Sequence, residues 1–153
     1  MDNLAINDIT REVKHEFMAF RNGIVADTLR NAGLPHKVIF GLQLPQITEI
    51  SKNLKNRLSE VECQRVARSL WEDREVRESR MLACRIMPSA LIGKDEAIAM
   101  VSDIRSREEA DILAFALLRR IPDACEIAEL FKTDLDPLKK YASEAIIRNL
   151  SPQ

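Results

Sequence analysis

Glycine is scarce in this chain, with 4 residues among 153, so tight hairpin turns are poorly supplied. Aromatic residues make up only 5%. A core poor in rings must be filled by Leu, Ile, Val and Ala, which suits packed helices better than a sandwich or a barrel. No apolar run is long enough for a membrane helix, and the opening MDNLAINDITREV has no apolar signal core. A cytoplasmic protein is expected, with no membrane partner. An excess of charge of one sign is missing too. The net charge is −1, so the average field attracts neither nucleic acid nor an anionic membrane, and any polyanion site must be a local patch. Cysteines number 3, at Cys63, Cys84 and Cys125. An odd count without paired spacing argues against a disulfide framework and against a zinc site. It points to small buried hydrophobes in a reducing compartment.

What is present is helical signal from end to end. Asn7 or Asp8 can cap a first helix with Ile9, Val13, Phe17 and Phe20 on one face, broken at Gly23. A second helix, 24–31, stops at Gly33 and Pro35. Residues 36–46, HKVIFGLQLPQ, form the one irregular piece. Pro45 suits the first turn of a helix bearing Ile47, Ile50 and Leu54. Ser59 and Glu62 make a capping box, and Ser106 and Glu109 make another. Gly93 opens a helix over 95–103, and Pro122 and Pro137 sit just inside two more, the latter behind Asp136 as cap. About nine helices of roughly 9–15 residues are predicted, with no convincing strand alternation.

The stretch RSLWEDREVRESRMLACRIM, residues 68–87, organises this pattern. One helix ends at Leu70 and Trp71, and an acidic corner, Glu72-Asp73, follows. At 100° per residue the next helix places Val76, Ser79, Leu82, Ala83, Ile86 and Met87 on one side. Arg74, Arg77 and Arg85 fall on the other side, with Glu78 among them. Such a helix pair is suited to stacking on other pairs. Pair starts near Ser59, Lys94 and Pro122 lie roughly 28–35 residues apart, close to the period of helical-pair solenoids. The expected fold is therefore all-α, an α-α superhelix in a single domain over 1–153, with a compact all-α bundle as the competing architecture.

Two segments resemble a known family. SLWEDREVRESRMLACRIM is similar to a leucine–tryptophan corner followed by an E-x-x-x-A-A-L-type helix. VIFGLQLPQITEISKNL is similar to a stretch that begins a repeat, F-x-G-[VI]-x-[TV]-P-x-x-R-x-[LI]. Both belong to the AlkD-like DNA alkylation repair family, whose members are α-solenoids of HEAT-like repeats. The resemblance covers 36–87 most closely and continues to about Ile147, about the first two-thirds of a typical relative. It implies a right-handed HEAT-like solenoid. It also implies a DNA glycosylase that hydrolyses the N-glycosidic bond of cationic alkylated purines without metal or cofactor. In that chemistry a carboxylate stabilises the sugar cation, aromatic faces add cation–π stabilisation, and basic residues hold the phosphates of double-stranded DNA.

The family's W-x-x-x-D element falls on Arg107-Glu108-Glu109-Ala110-Asp111, so the resemblance makes Asp111 the catalytic carboxylate, with Arg107 in place of the tryptophan. Its W-x-x-R element falls on Pro137-Leu138-Lys139-Lys140. Arg74, Arg77, Arg85, Arg107, Lys139 and Lys140 are the candidate phosphate contacts. Each has a bland reading beside the functional one. Asp111 and Arg107 can form an i,i+4 ion pair, and Lys140, Glu144 and Arg148 a salt-bridge ladder. The arginines of 74–85 can be a solvated face interleaved with Glu72, Glu75 and Glu78. Lys140, Tyr141, Glu144 and Arg148 give the last helix a polar outer face that would cap a terminal repeat. With aromatics missing from the motifs, weak or absent excision with retained DNA binding is expected; a protein-interaction scaffold using the concave solenoid face is the alternative. His15 and His36 are isolated, and neither a nucleophile elbow nor a glycine-rich phosphate loop occurs.

Overall fold

The computed structural model describes residues 2–150. Among them are nine α-helices, one 3-10 turn and no strand beyond an isolated bridge between Val38 and Val76. The all-α expectation holds, and the succession of helices is compatible with an α-α superhelical repeat fold. The chain divides into two compact units, Met1–Met87 and Pro88–Gln153.

The first unit holds α1 (Asn3–Ala19), α2 (Gly23–Asn31), α3 (Leu44–Arg57), α4 (Glu60–Glu72) and α5 (Arg77–Ile86). Helix α1 starts earlier than predicted. Asp2 is its cap, with Oδ1 accepting the Ala5 N–H at 2.8 Å. Asn7 and Asp8 lie inside the helix because Ile6 already belongs to the buried stripe of Val13 and Phe17. Phe20 ends the helix half exposed rather than joining that stripe. Asn22 caps α2 by accepting from the N–H groups of Ile24 and Val25, so Gly23 begins a helix rather than only breaking one.

Helix α4 opens on the predicted capping box, with Ser59 Oγ accepting the Glu62 N–H and Glu62 accepting the Ser59 N–H. The Ser59 backbone N–H, and after it the Ser59 hydroxyl, hold the Glu62 carboxyl below the usual carboxylate range. A depressed folded pKa means the cap's stabilisation is present above the unfolded value and fades as pH falls through the folded one. Ser59→Ala is expected to cost about 1 kcal/mol. In urea unfolding, the gap between wild type and Glu62→Ala should shrink between neutral pH and about pH 3; a gap independent of pH would show that the carboxylate is not the acceptor.

The face expected to be arginine-rich and solvated is corrected by the structure. Arg74 is exposed, ahead of α5, and Arg85 is half-buried. Arg77, Glu78 and Arg80 are 5%, 0% and 0% exposed. The irregular segment before α3 covers them. Glu78 accepts the backbone N–H groups of Phe40 at 3.0 Å, Gly41 at 3.0 Å and Leu42 at 3.3 Å. Arg77 Nη1 donates to Glu78 at 2.8 Å and to the Leu42 carbonyl at 2.9 Å. The Arg80 guanidinium lies 3.7 Å from the centroid of Trp71. The predicted apolar side of α5, with Val76, Ser79, Leu82, Ala83, Ile86 and Met87, is buried as expected. Helix α5 is therefore enclosed on nearly every side, and Arg77 and Glu78 are hydrogen-bonded to each other and to backbone rather than to water.

The second unit holds α6 (Lys94–Ser102), α7 (Arg107–Ala116), a 3-10 turn (Leu118–Arg120), α8 (Ala124–Phe131) and α9 (Pro137–Leu150). Ser106 caps α7 through the Glu109 N–H, and Glu109 reaches back to the Arg105 N–H rather than to that of the cap. Helix α8 opens two residues after Pro122, behind Asp123. Asp136 caps α9 as predicted, accepting the Leu138 N–H at 2.9 Å. Helix α9 packs on both α7 and α8. Their shared core contains Leu113, Leu117, Ile127, Ala145 and Ile146, all essentially without solvent exposure. Cys63 and Cys84 are buried, and burial pushes the Cys63 thiol up. Cys125 is exposed, against expectation, because it falls on the outer side of α8. No helix among the described residues is long and apolar enough to cross a membrane.

Candidate functional site

Helix α7 is apolar on most of its circumference, yet it keeps one wet stripe. Arg107, Asp111 and Phe115 are exposed and spaced four residues apart, so they lie one above another on the same face. Across from this stripe, α9 presents Tyr141 and Arg148, seven residues apart on their own face. The packing of α7 on α9 brings the two faces together.

Asp111 is the centre of the group. Tyr141 donates its hydroxyl to Asp111 Oδ1 at 2.8 Å. Arg148 Nη2 lies 3.5 Å from the same oxygen. Side-chain exposure is 54% for Asp111 and 60% for Arg148, so this ion pair is worth only about 0–1 kcal/mol. The tyrosine bond, direct and of ordinary O–H···O length, does more to fix the carboxylate. Arg148 is itself held: the Tyr141 hydroxyl, and more weakly Asp111 and Glu144, push its guanidinium up. The expected i,i+4 pair between Asp111 and Arg107 does not form. The Arg107 guanidinium stands 4.7 Å from the centroid of Tyr141, and that of Arg148 stands 5.3 Å away. One turn further along α7, Arg119 covers Phe115 at 4.2 Å and donates to its carbonyl at 2.6 Å. Exposed cation–π contacts of this kind contribute about 0.5–1 kcal/mol each.

The arrangement presents a carboxylate to solvent beside a phenol and several guanidinium groups. It can accept a hydrogen bond or stabilise a cation at Asp111, and it can take phosphate oxygens at the arginines. Among the described residues no cluster of His, Cys, Asp and Glu has the make-up of a metal site.

Of the sequence-predicted residues, Arg107 and Asp111 are thus gathered into one place. Lys139, half-buried, and Lys140, exposed, stand on α9 directly before Tyr141. Lys140 makes no ion pair among the described residues, and Arg148 reaches Asp111, so the ladder through Glu144 is not built. Arg74, Arg77 and Arg85 belong to the first unit. There Arg77 is corrected from a phosphate ligand to a buried structural charge, since its guanidinium is committed to Glu78 and to the Leu42 carbonyl. Sequence reasoning missed Tyr141, Arg148 and Phe115. The signal was available: Tyr141 is one helical turn after Pro137, where the motif has its aromatic, and Phe115 is one turn after Asp111.

A family model described as DNA alkylation repair enzyme matches residues 13–146. No curated protein and no solved structure matches the chain.

Proposed function

Because this chain belongs to the DNA alkylation repair enzyme family, we propose that its α7–α9 face binds double-stranded DNA with Asp111 beside a deoxyribose. Membership supports a role in DNA repair. The observation that carries the finer reading is the exposed Asp111 carboxylate, oriented by Tyr141 and flanked by Arg107 and Arg148. Arg107, Lys139 and Lys140, joined by Arg148, supply phosphate contacts on this face. The protein acts in the cytoplasm, with its helix pairs as HEAT-like repeats of one domain.

On this reading Asp111 is the catalytic residue, stabilising positive charge as it develops on the sugar during loss of an alkylated purine. Excision is weak. A cationic base needs an open electron-rich face, and the Tyr141 and Phe115 rings already carry guanidinium groups. Slow release of 7-methylguanine from alkylated duplex is expected, and Asp111→Asn should lower it at least about tenfold, as loss of one electrostatic contact of this type does. A variant as active as wild type would remove Asp111 from the chemistry. Complete absence of release from the wild type leaves a DNA-binding protein without excision.

A second reading, a protein-interaction scaffold, is favoured by one feature. Leu130, Leu135 and Ile147 are exposed, and an open groove on α8 and α9 is lined by Cys125, Ala128, Ile147 and Leu150, with Glu129 and Lys132 beside them.

A further inference from the structure

We propose that the outer face of α8 and α9 is a self-complementary surface, on which two copies of this chain pair about a two-fold axis. This pairing deepens the scaffold reading of the groove, on which it rests, by naming the partner: a second copy of the chain.

An isologous interface must carry both halves of every contact on one patch. This face carries two such sets. The first is charge. Glu129 and Lys132 stand side by side on α8 at 3.8 Å, with side-chain exposures of 69% and 60%. An ion pair so exposed contributes little to the fold, and both groups stay open to a partner. A polyanion is repelled by Glu129 and a polycation by Lys132, whereas a copy with its α8 antiparallel sets each acid against the other's base. The second set is shape. The groove lined by Cys125, Ala128, Ile147 and Leu150 is open and about 410 Å³ in volume, room enough for a leucine side chain. Its complement lies on the same helical hairpin: Leu135, in the loop between α8 and α9, is 98% exposed. That loop is held in place. The Asp134 N–H donates to the Phe131 carbonyl at 3.2 Å, and the Asp136 N–H donates to Asp134 Oδ1 at 2.8 Å. The leucine is thus presented with little ordering left to lose on association. The two sets also agree in register. The span from Glu129 to Leu135 equals that from Lys132 back to Glu126. Placing Glu129 opposite Lys132 of an antiparallel copy therefore brings Leu135 beside Cys125 of that copy, at the mouth of its groove. The two-fold axis forms each contact twice.

The test is sedimentation equilibrium on the full chain, under reducing conditions so that Cys125 forms no disulfide between copies. The wild type should pass from monomer to dimer over roughly 1–300 μM, the range of a small interface. Glu129→Lys and Lys132→Glu should each weaken pairing at least about tenfold, because like charges then face each other twice. An equimolar mixture of these two variants should pair about as well as wild type, since each chain returns the opposite charge to the other. Leu135→Ser should weaken pairing about tenfold by removing the apolar side chain from the groove. All three positions are exposed, so the variants should keep the fold, and far-ultraviolet spectra check it. A wild type still monomeric at the top of the concentration range would overturn the proposal. So would single charge reversals or a Leu135→Ser chain that pair like wild type, or a mixture that pairs no better than its components. A monomeric wild type overturns self-pairing alone, because a groove that takes a different protein also leaves the free chain monomeric. No nucleic acid is present, so the DNA-binding reading stands or falls separately.

Discussion

Glu78→Ala is expected to unfold the first unit, or to lower its stability by about 3–5 kcal/mol. The Glu78 carboxylate is 0% exposed and receives three successive backbone N–H groups from Phe40, Gly41 and Leu42, together with the Arg77 guanidinium. Alanine removes the acceptor of those donors and the carboxylate that Arg77 meets at 2.8 Å. A domain of ordinary stability has only about 5–15 kcal/mol in hand, so a loss of this size is visible in any urea titration. Glu78→Gln retains one acceptor oxygen and the side chain's shape, so it should fall between alanine and wild type. A wild-type midpoint for Glu78→Ala would mean that the irregular segment is held by something other than this carboxylate.

Gly41→Ala is the second large effect, expected at about 2–5 kcal/mol from backbone strain and overpacking together. Gly41 has a φ of +88°, which a side chain rarely adopts. A Cβ there would stand 2.2 Å from the Asn22 carbonyl oxygen and 2.9 Å from the Ala26 nitrogen. Both are backbone atoms at the start of α2, so neither can swing aside. Gly33 is the control. Its φ is +102°, but a Cβ would meet nothing within 4 Å, so Gly33→Ala should cost only the strain, about 1–2 kcal/mol. Urea midpoints that are equal for the two variants would contradict the close approach of residue 41 to α2.

These two sites mark where the sequence stops being readable. The capping box at Ser59 and Glu62 and the Asp136 cap before Pro137 were legible because both partners lie within four residues. Periodicity also identified the buried side of α5. It failed for Arg77 and Glu78, since the groups that satisfy them come from 35 to 38 residues away in an irregular segment. No local rule announces that a charged pair will be covered by backbone. Asp111 shows the same limit on a smaller scale. The i,i+4 rule offers Arg107 as its partner, yet Tyr141 wins from α9 with a direct hydroxyl bond. Motif comparison placed the aromatic at Pro137, whereas the helix returns to that face one turn later, at Tyr141. Asp111 as a candidate was thus legible, and its neighbours were not, because α7 and α9 meet only in the folded unit.

The most direct test of the proposed DNA-binding face is the salt dependence of duplex affinity, measured by fluorescence anisotropy on the full chain. Binding at about 50 mM salt that is lost by about 200 mM is expected, since phosphate contacts release counterions. Arg107→Gln and Lys140→Gln should each weaken binding and flatten the slope of log affinity against log salt by about one. The contradicting result is equally plain: no binding at low salt, or a slope that neither substitution changes, would place the function of this protein away from the α7–α9 face.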